Sequence, residues 1–211
     1  MPLRRRVAWL FAFAVAMAYV ESAVVVYLRA IYYPQGFSFP LVLMPPDIVV
    51  IEMGREAATL VMLLGVAMVT GRDRWDRIAL FCIAFGAWDI AYYFWLWVFL
   101  RWPPSLLTWD VLFLIPVPWI GPVVAPVIVS VVMIVGGLGL SGRRADGRAA
   151  GLSPGLQALA LAGGALVLGS FMLDFQVVLR QMEPLPFRWG LFATGVALAV
   201  VALVLAIRKK V

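Results

Sequence analysis

The chain has 211 residues, 64% of them hydrophobic and only 13% charged, with a mean hydropathy of +1.01. That composition excludes an ordinary soluble domain and reads as an all-α, polytopic membrane protein, because no stretch shows the alternation of a barrel strand. The formal net charge is +6, but the basic residues stand in short clusters at the ends of apolar runs, which encodes topology rather than nucleic-acid binding.

In chain order, Arg4, Arg5 and Arg6 precede an apolar run over residues 7–30. Ala16-Met17-Ala18 imitates a signal-peptide cleavage site, but the run continues well beyond it and predicts a first span. Glu21 lies past its midpoint, with Tyr27 and Arg29 near the far end. Residues 31–46 are apolar but broken by Pro34, Gly36, Pro40, Pro45 and Pro46. They predict an aromatic interfacial segment or a lid over the helix ends.

The second span, 49–70, opens with Glu52-Met53-Gly54-Arg55-Glu56, three charges in five residues. Charge in hydrocarbon costs from about 2.5 to over 10 kcal/mol per group, so these side chains must face protein or water. Glu52 and Glu56 share a helix face, and Arg55 is spaced to partner Glu52. A charged loop, 71–77, leads to a third span over 78–100. It carries Asp89 near its centre, with Tyr92 and Tyr93 on the adjoining surface for a hydrogen-bonded clamp or a relay.

The apolar run 109–140 is too long for one crossing and holds Pro116, Pro118, Pro122 and Pro126. It predicts a proline-broken fourth element: a half-helix or re-entrant piece over 111–119, then a crossing over 123–140, with Asp110 as a helix N-cap. The fifth span, 156–180, begins with small residues suited to close helix contact and carries Asp174 in its second half. A sixth, 189–207, ends in Arg208-Lys209-Lys210. Irregularly spaced Trp-Asp pairs give no internal repeat, and one membrane domain covers 1–211.

Basic residues divide twelve to four between the two sides of this six-helix bundle. The positive-inside rule then puts both termini in the cytoplasm of a bacterial-type inner (plasma) membrane. Six carboxylates from five elements (Glu21, Glu52, Glu56, Asp89, Asp110 and Asp174) fall at similar depth on the opposite side, with Arg55 and Arg180 as counter-charges. Such a set cannot all be ionised and unpaired, so protons, a bound cation or entering water must meet it.

The absence of histidine and the single cysteine, Cys82, exclude His-ligated haem or zinc, a histidine general base and a disulfide from this chain. The cofactor stays unassigned. No GxSxG, Walker or HExxH signature is present. The leading expectation is a small transport or binding protein holding a cation, proton or polar solute among Glu52, Glu56, Asp89 and Asp174. Glu21, Arg55, Tyr92 and Tyr93 would support them. Two rivals are an accessory subunit of a larger membrane complex, with partner subunits or copies of itself, and a membrane-embedded enzyme acting on a lipid or quinone.

Overall fold

The computed structural model describes residues 1–148 and 151–208. Lys209 and Lys210, two of the twelve basic residues assigned to one side, lie outside the described residues. The elements are α1 (Leu3–Tyr32), α2 (Pro46–Thr70), α3 (Arg74–Leu100), strands β1 (Trp109–Phe113) and β2 (Trp119–Pro122), α4 (Val124–Ala145), α5 (Pro154–Met172), the short α6 (Phe175–Leu179) and α7 (Trp189–Arg208). Among the described residues the regular secondary structure is helical apart from one hairpin.

Among the described residues, five helical stretches are long and apolar enough to cross a membrane: Leu3–Tyr32, Arg74–Leu100, Val124–Ala145, Pro154–Leu179 and Trp189–Arg208. The 25-residue α2, with Asp47, Glu52, Arg55 and Glu56 in its first half, is not among them. The outward faces of the helices, α2 included, carry exposed Val69, Leu161, Tyr27, Val50 and Val135, an apolar surface suited to a bilayer and not to water.

Local chemistry sets the boundaries. Proline occupies the first turn of α2 and of α5, where its fixed φ suits a helix and its missing N–H costs no bond. Helix α3 begins on Asp73, whose Oδ1 accepts from the backbone N–H groups of Trp75 (2.9 Å) and Asp76 (3.2 Å), and it ends at Arg101 with a left-handed φ of 53°.

Of the half-helix or re-entrant piece expected over 111–119, the half-helix is not what forms. Strands β1 and β2 pair antiparallel there, Trp109 opposite Pro122 and Val111 opposite Ile120, with an irregularity between Val111 and Phe113. Aromatic and β-branched residues suit a strand surface, and Pro116 and Pro118 fall in the connecting loop, where no ladder donor is needed. Pro126 is the third residue of α4, a position whose N–H has no partner within a helix. The prolines thus shape a hairpin and a helix start instead of kinking a span. The fifth span is also interrupted, at Leu173 and Asp174, between α5 and α6.

Helix α3 is central, packed against α1, α2 and α4, while α5 pairs with α7 and α4 links the two groups. Leu10, Ala14 and Ala18 of α1 meet Leu63 of α2 and Leu80, Ile83 and Trp88 of α3 in the main core. Gly163 and Gly195 set the α5–α7 approach: a Cβ on either would stand 2.6 Å from the other's carbonyl oxygen. At the end carrying the N-terminus, Arg6 Nη1 donates to Asp76 Oδ2 at 2.6 Å and to the Thr70 carbonyl at 3.1 Å. Asp76 also accepts from the Arg72 amide and Ser141 Oγ. Arg6, counted from sequence as a topology charge, is buried in this clasp.

Candidate functional site

The charges of α1 and α2 lie on the same stripes as their core residues. On α2 the buried positions are Glu52, Glu56, Thr59, Leu63 and Ala67, a spacing of three and four that presents one helix face. On α1 the buried stripe runs from Arg6 through Leu10, Ala14, Met17 and Ala18 to Glu21 and Arg29. Both stripes meet α3 along their apolar halves, which carries their charged halves to the same end of the bundle.

There they wall a cavity of about 170 Å³. Glu21, Glu52, Arg55, Glu56, Asp89, Tyr92 and Tyr93 all line it, together with Arg29 and Asp110. Tyr33, Phe37, Leu41, Val42 and Met44, from the segment between α1 and α2, close one side. The Val42 amide donates to the Tyr33 hydroxyl at 2.8 Å, which fastens this cover to the end of α1. The hairpin supplies another wall through Val111, Leu112, Phe113 and Leu114.

Arg55 bridges two helices. Its Nε donates to Glu52 Oε2 at 2.8 Å and its Nη1 donates to Glu21 Oε2. The second Glu21 oxygen accepts from Thr59 Oγ1 at 2.6 Å. Glu56 Oε2 accepts from the backbone N–H of Leu114 at 2.8 Å, tying α2 to the hairpin. Asp89 Oδ2 accepts from Ser130 Oγ of α4 at 2.8 Å.

A second buried pair stands beside this set. Arg29 Nη2 donates to Asp110 Oδ1 at 3.2 Å, and its guanidinium lies over the rings of Trp102 at 3.7 Å and Phe37 at 4.5 Å, attractive contacts with the ring quadrupoles. Tyr93 Oη donates to Asp110 Oδ2 at 3.3 Å.

Several sequence expectations change accordingly. Asp110 is a strand residue in an ion pair and not an N-cap. The hydrogen bonds of Asp89 and Tyr93 go to Ser130 and Asp110, so the two do not clamp each other within α3. Asp174 lies apart, paired with Arg188 at 2.9 and 2.7 Å beside a small separate pocket, because the chain turns out of its helix there. Arg180 is exposed at the end of α6 and is no counter-charge to the cavity. Arg29 and Thr59, which line the cavity, and Ser130, which joins through Asp89, were missed as members, whereas Asp110 was expected at this depth but as a cap. For Arg29 a signal existed: Glu21, Val25 and Arg29 stand four apart along one face.

The cavity holds five carboxylates against two guanidinium groups, an excess of three. Three uncompensated charges cannot persist in a low dielectric, so protons or a cation must meet them. Among the described residues, no group of three or more His, Cys, Asp or Glu side chains is placed to hold a metal ion. Donors are left over as well. Arg29 Nη1 and Trp88 Nε1 are buried with no hydrogen-bond partner among the described residues, and both residues line the cavity. A buried unsatisfied donor costs about 1–3 kcal/mol, more when charged, unless something accepts from it. The arrangement therefore offers negative charge, aromatic walls and two unmet donors to whatever enters. Comparison with protein-family models, with curated proteins and with solved structures gives no match.

Proposed function

We propose that this protein binds, and passes across the membrane, a small organic cation held in the carboxylate cavity. The observation that carries this reading is the excess of three carboxylates over guanidinium groups around one cavity of about 170 Å³. The aromatic lining of Tyr33, Trp88, Tyr92 and Tyr93 favours an ammonium group over a hydrated metal ion, because ring faces attract a desolvated organic cation. Glu52, Glu56 and Asp89 are the charges it meets, Glu21 supports them through Arg55, and Trp88 donates to any acceptor it carries.

Helix α2 serves as the sixth crossing in this reading. Its 25 residues reach about 37 Å, and its charged stripe faces protein rather than lipid. Both termini then lie on the cytoplasmic side of an inner membrane, and the cavity opens toward the other. The protonatable 2-aminoethanol is the test probe. Purified protein should bind it saturably, and proteoliposomes should take it up. Asp89→Asn, which keeps the oxygen facing Ser130, should weaken both while the protein stays folded in detergent. Absence of any saturable binding to the folded wild type overturns the proposal.

A further inference from the structure

A second cavity, about 470 Å³, lies between the two helix groups. Phe81 and Phe85 of α3, Val129 and Met133 of α4, Gly164 and Leu168 of α5 and Val196 of α7 are among its walls. Apart from Asp89 and Ser130 its lining is apolar, and half-exposed Leu168 at its rim opens it sideways toward hydrocarbon.

Asp89, Leu112 and Phe113 belong to both cavities. A row of rings also runs from one to the other: Tyr92 to Trp88 at 6.2 Å, Trp88 to Phe113 at 6.0 Å, Phe113 to Trp119 at 5.3 Å and Trp119 to Phe171 at 6.4 Å. Two of these rings carry unmet donors. Trp88 Nε1 beside the charged cavity and Trp119 Nε1 beside the apolar one are both buried without a hydrogen-bond partner among the described residues. An ammonium group alone satisfies neither, since it has no acceptor. A hydroxyl next to the amine satisfies Trp88 while the amine meets the carboxylates.

We infer that the solute is a long-chain amino alcohol, its head among Glu52, Glu56 and Asp89 and its hydrocarbon tail in the groove between α3, α4 and α5. The inference rests on the organic-cation reading of the charged cavity and adds to it the tail, the hydroxyl and a lateral route from the bilayer. The tail gains no hydrophobic energy on leaving lipid, because both surroundings are apolar. The groove instead lets a lipid-anchored head reach the carboxylates without drawing its chain through water.

The test is competition in phosphatidylcholine nanodiscs between 2-aminoethanol and sphinganine, its long-chain counterpart. Wild-type protein should lose bound 2-aminoethanol as sphinganine is added. Gly164→Phe places a ring in the groove, where a Cβ meets nothing within 4 Å. It should bind 2-aminoethanol as before but need at least about tenfold more sphinganine for the same displacement. A sphinganine brominated along its chain provides a readout that needs no substitution in the groove. It should quench tryptophan fluorescence in wild type, and the quenching should fall in Trp119→Phe. Equal displacement in wild type and Gly164→Phe, or quenching that ignores Trp119, overturns the groove assignment while the cation site stands. Failure of 2-aminoethanol itself to bind removes the cation site first.

Discussion

Arg29 and Asp110, 81 positions apart, meet as a buried ion pair that joins the end of α1 to the first strand of the hairpin. Removing one partner of such a pair leaves an uncompensated charge, at a cost of about 3–5 kcal/mol. Arg29→Met and Asp110→Asn should each lower the unfolding midpoint in detergent strongly. The double substitution should recover much of the loss. A double-mutant cycle on thermal unfolding measures the coupling, and simple additivity contradicts the pair.

Glu56 separates charge from structure. Its oxygen accepts from the Leu114 amide, and a glutamine carbonyl accepts the same bond. Glu56→Gln should therefore change stability by no more than about 1 kcal/mol. Its binding of 2-aminoethanol should weaken by about tenfold, as one carboxylate close to the ammonium is neutralised. Calorimetric titration of folded protein reads the second effect and a melting curve the first. A large stability loss with unchanged binding would assign Glu56 to structure alone.

The α5–α7 contact depends on two glycines facing each other. A side chain at Gly163 meets the Gly195 carbonyl oxygen at 2.6 Å from its first carbon, so the helices must part. Overpacking of this kind costs about 1–3 kcal/mol. Gly163→Leu should reduce the yield of monodisperse protein on size-exclusion chromatography, whereas Gly164→Leu on the neighbouring open face should not.

Asp73, just ahead of α3, makes stability sensitive to acid. Partial burial pushes the Asp73 carboxyl upward, but the Arg144 guanidinium and the amides of Asp76 and Trp75 outweigh it and hold the group below its ordinary range. A carboxylate lowered on folding stabilises the protein above its unfolded pKa of about 3.9, and that contribution disappears as pH falls through the folded value. Asp73→Asn retains a capping oxygen without the charge. It should melt earlier than wild type at neutral pH and lose less stability on acidification below about pH 4. Parallel melting curves across pH 7 to 3 check the sign.

Most of the helical architecture was legible because apolar runs of twenty or more residues admit few other structures. The charged opening of α2 was legible for the converse reason: such residues in an apolar run need company. What was hidden is company supplied across the bundle. Asp89 has Tyr92 and Tyr93 as sequence neighbours, yet its hydrogen bond is to Ser130, 41 positions away. Arg29 reads as a flanking charge until Phe37, Trp102 and Asp110 close over it. The hairpin is hidden because four prolines in an apolar run signal helix breaks more loudly than the residues between them signal strands. Asp174 leaves the cavity because α5 breaks at Leu173 instead of continuing to Arg180.

The hold of α2 on α1 runs through Arg55, Glu21 and Thr59, and these side chains face the space they enclose. On the proposed reading, a guest cation that settles on Glu52 would take the place of the resident guanidinium at its oxygens, so filling the vault and loosening its wall would be one exchange of partners.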